Sequence, residues 1–83
     1  MQTYQNLSGK STIESYEFGK QRMVVQYKNG SAYLYDQAAS GTMNLMIMKE
    51  LAEIGKGLHT YISRFVDDKF HTQLSESVSN GSL

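Results

Sequence analysis

Residues 22–28 (RMVVQYK) carry the dense β-branched and aromatic pattern of a strand, and Asn29-Gly30 follows as a hairpin-turn signal. Ser31 to Tyr35 (SAYLY) then predicts an antiparallel return. Ile13 to Phe18 fits a further strand, with Tyr16 and Phe18 on one face and Ile13 on the other, joined to the hairpin by a turn at Gly19-Lys20. Two registers compete in the hairpin. A two-residue turn at Asn29-Gly30 places Met23, Val25 and Tyr27 with Ala32 and Leu34. A three-residue turn over Lys28-Asn29-Gly30, with Gly30 left-handed, groups them with Tyr33 and Tyr35 and so gathers the large side chains on one face. The second is preferred on that ground, although a one-residue slip would reverse the assignment.

After Tyr35 the period changes. Asp36 to Gly41 reads as a loop, with Ser40 or Thr42 available to cap a helix over about 43–54 that Gly55 closes. Lys56-Gly57 leads into a second helix over about 58–66, in which Leu58, Tyr61, Ile62, Phe65 and Val66 follow the spacing of one helical face. The predicted fold is α+β: a small three-stranded antiparallel sheet (hairpin 22–28/31–35 plus strand 13–18) packed against two short helices. Residues 1–12 read as a polar N-terminal arm, 13–70 as a single domain, and 71–83 as a polar, aperiodic tail expected to be disordered.

The first helix carries more apolar side chains than one buried face needs. Met43, Ile47, Leu51 and Ile54 form one stripe, and Leu45, Met48 and Ala52 fall outside it. Such an excess marks a contact surface, and methionine suits an adaptable one. A homo-oligomer is therefore expected, with Met43, Met46, Ile47, Met48 and Leu51 at its interface.

Composition narrows the function classes. The chain has 83 residues, a hydrophobic fraction of 40%, no Cys, and eight basic against eight acidic residues for a formal net charge of zero. So short a chain has room for one core without disulfides, and it lacks the field that draws a protein to a polyanion. Met1 to Leu7 is polar, and no apolar run approaches the ~20 residues that cross a bilayer. The expected location is cytoplasmic, in a bacterial cell or a phage-infected host.

Nothing in the chain supplies the activated Ser or Cys of nucleophilic catalysis, so an enzyme is the least favoured class. No cofactor is expected. His59 and His71 bracket Asp67-Asp68 without the i, i+4 spacing of a helical metal site, and no metal is assigned. Two other features suggest binding. The Gly55-Lys56-Gly57 step opens a helix whose free N–H groups favour an anion, although it also serves simply as a helix stop and a tight turn. Tyr33 and Tyr35, with Tyr27, form an aromatic cluster able to stack on a ring, or else to serve as core with their hydroxyls at the rim. The candidate ligand-binding residues are Tyr33, Tyr35, Lys28, Lys56, Gly57, His59 and Arg64.

The strand MVVQY, the return NGSAYLY, a helix, and the glycine step GKGLHTYI into a last helix make Ser11 to Phe70 resemble the KTSC domain. That short module is found alone and at the C-terminus of some lysyl-tRNA synthetases. The chain departs from it in having Ala38-Ala39-Ser40, and no proline, between hairpin and first helix. The resemblance implies the order of elements and no established reaction, and its synthetase context points towards RNA. The expected function is a non-enzymatic, self-associating module for a small anionic, nucleotide-like ligand, which it sequesters or senses. The alternatives are an RNA-binding accessory module using Lys28, Arg22, Lys56 and Arg64, and a protein-protein adaptor acting through the Met-rich helix.

Overall fold

The computed structural model of the chain describes residues 2–7, 9, 11–67 and 69–75. Its frame is an antiparallel sheet of five strands in chain order. These are β1 (Gln2–Thr3), β2 (Ile13–Gly19), β3 (Arg22–Tyr27), β4 (Ala32–Asp36) and β5 (Thr72–Ser75). The expectation of three strands is thereby corrected. The two additional strands are short edges, β1 from the N-terminal arm and β5 from the stretch read as a tail. Neither has an apolar pattern, because an edge strand is held by the backbone groups of its neighbour and not by a buried face. Tyr4 N–H donates to Glu14 O at 3.0 Å and His71 N–H to Leu34 O at 2.6 Å, prolonging the two edge pairings. Residues 76–83 of the expected tail lie outside the described residues.

The hairpin adopts the three-residue loop. Met23 pairs with Tyr35 and Val25 with Tyr33, Tyr27 N–H donates to Ser31 O at 2.8 Å, and Gly30 takes φ 98, which glycine adopts at little cost. Residues 23, 25, 27, 33 and 35 therefore share a face. In β2 the pairing shifts between Ile13 and Ser15, so that Ile13 lies opposite Tyr27 and Ser15 opposite Gln26. This bulge adds one residue and cancels the alternation that would send Ile13 and Tyr16 to opposite faces. Both are buried.

The expectation of two helices is also corrected, to three. Asp36 Oδ1 accepts from Ala39 N–H at 2.9 Å and caps a single turn, α1 (Gln37–Ser40), where a loop is predicted. The second helix, α2 (Thr42–Ile54), begins after Gly41 with no side-chain cap. Ser40 is instead tied to Lys69 O, its hydroxyl donating at 2.5 Å. The last helix starts as α3 (Leu58–Tyr61) and widens into a π-helical turn over Ile62–Val66, closed by Asp67 N–H donating to Ile62 O. None of the helices in the described residues is long and apolar enough to cross a membrane.

These helices cover one face of the sheet. The core joins Ile13, Tyr16, Met23, Val25 and Tyr35 of the sheet to Leu45, Met48 and Ala52 of α2, and to Leu58, Ile62 and Val66 of the last helix. Of its two apolar stripes α2 thus buries the one through Leu45, Met48 and Ala52: Met43 is 72% exposed and Ile54 52%, whereas Met48 is fully buried. Asn44 settles the rotation, its Nδ2 donating to Ser40 O at 2.8 Å and its Oδ1 accepting from the Tyr61 hydroxyl at 2.5 Å. Met48 accordingly belongs to the core and is unavailable to an oligomer interface. Leu51 is half-buried beside it.

The glycine step anchors the N-terminal arm. Gly55, at φ 85, caps α2 while its carbonyl accepts from Leu7 N–H at 2.7 Å, and the Tyr4 hydroxyl accepts from Leu58 N–H at 3.2 Å. A Cβ on Gly55 would lie 2.7 Å from Gln5 Cβ. The arm is therefore packed on the turn.

The assignment of faces on α2 is tested by truncation in urea. At protein concentrations too low for self-association, Met48→Ala should cost about 2–5 kcal/mol through lost transfer energy and a cavity, and Met46→Ala less than about 0.5 kcal/mol. Equal costs would contradict the assignment.

Candidate ligand cleft

The helices are too short to cover the whole apolar face of the sheet, and its turn end stays open. There a cleft of about 540 Å³ lies between the hairpin and the last helix. The register that groups Tyr27, Tyr33 and Tyr35 supplies one wall, and the last helix with its C-cap supplies His59, Ile62, Ser63 and Asp67 to the other. Phe70 closes one side. Tyr35 is 1% exposed and forms the floor, while Tyr27 and Tyr33 are half-buried and present their rings.

The rings are mutually braced. Tyr33 lies 4.7 Å from Phe70 between centroids, and Tyr27 meets Tyr33 edge-on at 5.8 Å and His59 edge-on at 6.2 Å. Edge-to-face and tilted contacts of this kind are the favoured aromatic geometries. The hydroxyls of Tyr27 and Tyr35 lie close enough for each to influence the other's proton. Burial pushes the Tyr35 phenol far above the ordinary phenolic range, and the charges of Tyr27, Tyr33 and Asp67 push it in the same direction. Burial also raises Tyr27, partly offset by the neighbouring Tyr35 hydroxyl. At neutral pH both tyrosines therefore offer neutral hydroxyls.

Four of the sequence-predicted ligand residues converge here: Tyr33, Tyr35, Lys28 and His59. Lys56, Gly57 and Arg64 do not line the cleft. Gly57 only permits the turn, at φ 85, and the first N–H of the helix behind it is engaged by Tyr4. Arg22 stands at the far end of β3 from Lys28, a separation of about 20 Å at strand rise. It lies beside Lys20 and Asp36 in a separate hollow. His71 pairs with Asp36, Nδ1 to Oδ2 at 2.9 Å. Among the described residues no group of three or more His, Asp or Glu comes together to hold a metal.

Asp67, Ser63 and Phe70 are cleft residues that sequence reasoning does not select. His59, Ser63 and Asp67 recur every four residues, which is a helical signal for one shared face. Phe70 has no comparable signal, because it reaches Tyr33 only through the turn into β5. Comparison with protein-family models, with characterised proteins and with solved structures finds no match to this chain.

The raised tyrosines have a consequence for stability. Above pH 10 an unfolded tyrosine loses its proton while folded Tyr35 keeps it, so the unfolded state gains and folding weakens as pH rises. Below pH 10 this contribution is fully present. The unfolding free energy from urea titration should hold steady to about pH 9 and then fall, by up to about 1.4 kcal/mol per pH unit for each tyrosine held neutral. Tyr35→Phe should make the fall shallower. An unchanged slope in that variant would contradict the burial of the phenol.

Proposed function

We propose that this chain is a non-enzymatic binding module that takes a small anionic, nucleotide-like molecule into the aromatic cleft, sequestering or sensing it in the cytoplasm. The observation that carries the reading is the convergence of half-exposed Tyr27 and Tyr33 with His59 and Lys28 around one cleft of about 540 Å³. That volume falls within the ~300–1,000 Å³ of small-molecule sites. A planar ring stacked on an aromatic side chain gains about 1–3 kcal/mol. Lys28 at the rim supplies a charge for an acidic group, and a net charge of zero suits one pocketed anion better than a polymer. The resemblance of residues 11–70 to the KTSC module is part of the same proposal.

Calorimetry with a panel of nucleoside monophosphates tests the reading. Binding should weaken at least about tenfold in Tyr33→Ala, in line with the loss of one stacking platform. Its salt slope should stay near one, as for a single phosphate contact. The absence of heat and of thermal shift across the panel would overturn it.

Self-association through α2 is supported by a separate observation. Met43 and Met46, 72% and 62% exposed, line a groove of about 410 Å³ with Phe18 and Ile47. Lys49, Glu50 and Glu53 rim it, and Lys49 Nζ sits 4.7 Å from the Phe18 ring centroid. Both signs of charge beside one apolar groove let a second copy, laid antiparallel, match Lys49 to the acidic residues across a twofold axis. Sedimentation at tens of micromolar should show a dimer that Met46→Glu converts to monomer, whereas a monomeric wild type would contradict the interface.

A further inference from the structure

Resting on the reading of the cleft as a ligand site, a finer inference concerns which rings it accepts. The cleft holds one acidic and one basic side chain, Asp67 and Lys28. Neither has an ion-pair partner among the described residues, where the only pair is His71 with Asp36. Two opposite charges that line one cleft without pairing are both available to a guest.

Asp67 is also held where an L-residue rarely sits, at φ 47 and ψ −110. Non-glycine residues persist in such conformations only where the surroundings impose them, and these cluster at ligand clamps. Here the imposing element is the π turn Ile62–Val66, which ends on Asp67 N–H and Ile62 O. The π turn is the last turn of its helix, and its extra residue re-aims the side chain that follows. A simple helix stop at this point would be met by glycine, as the chain does at Gly55. The chain instead places a carboxylate there, close enough to the cleft floor to act on the Tyr35 hydroxyl.

We infer that Asp67 selects the ligand by accepting a hydrogen bond from an amino group on its ring, while Lys28 takes the acidic substituent. The guest is then an amino-substituted heterocycle carrying a phosphate or comparable anion, and the same ring without its amino group is disfavoured. A carboxylate accepts from an exocyclic amine, whereas a ring with hydrogen in place of the amine offers it no donor there.

Adenosine monophosphate and purine riboside monophosphate, which differ only in the 6-amino group, separate the two cases, and calorimetry on the full chain reads the result. The wild type should bind the amino compound about tenfold more tightly, the scale of one good edge contact. Asp67→Asn, which offers both a donor and an acceptor, should shrink that ratio to about threefold or less. Lys28→Gln should weaken both compounds and leave their ratio unchanged. Equal affinities in the wild type, or a ratio that Asp67→Asn does not move, would overturn the selectivity and leave the cleft reading standing. No binding of either compound, with other monophosphates binding in a Tyr33-dependent way, would overturn the selectivity alone. No binding by any of them would overturn both.

Discussion

Gly30, at φ 98, lets residues 28–30 close a three-residue loop, and the length of that loop decides which side chains of β4 face the helices. With Val25 opposite Tyr33 and Met23 opposite Tyr35, the large side chains of both strands share the covered face. A slip of one residue would turn Ala32 and Leu34 towards α2 and expose the tyrosines. The floor of the cleft, its half-exposed rings and the surface that receives α2 all follow from this one pairing. The bulge in β2 serves the same face by bringing Ile13 and Tyr16 to it together.

A five-stranded sheet presents more apolar surface than α2 and a nine-residue last helix can cover. What lies under α2 is closed core. What lies beyond it, at the turn end of the hairpin, is lined by the π turn and Phe70 but not filled. The cleft is thus the part of the core face that the helices leave open, and its aromatic lining is continuous with the packing that holds the domain together. On the proposed reading stability and ligand contact draw on the same tyrosines, with Tyr35 buried while Tyr27 and Tyr33 reach the opening.

The strands with strong local patterns were legible, and so was the register, because turn chemistry and the size of side chains agree at Asn29-Gly30. Gly55 as a helix stop was legible for the same reason. The edges β1 and β5 were not, since two and four residues held by backbone pairing leave no apolar period. The rotation of α2 was not legible for a different cause. Its sequence carries two apolar stripes, and the choice between them rests on Asn44 bridging Ser40 and Tyr61, a tertiary contact across 17 positions. The same contact removes Met48 from the surface. In the cleft, the tyrosines, Lys28 and His59 could be named from composition and spacing. The glycine step misled, because the N–H that would meet an anion is taken by Tyr4 from the far end of the chain.

The central claim is that the rings left half-exposed by the hairpin register are where a ligand sits. The most direct measurement is the response of the tyrosine ring resonances to added adenosine monophosphate in the full chain. Tyr27 and Tyr33 should shift progressively and saturably, while Tyr4 and Tyr16, buried beside β1 and the glycine step, should not move. Saturable shifts confined to Tyr61 and Tyr16, or no shift of Tyr27 and Tyr33 with a bound ligand, would contradict it.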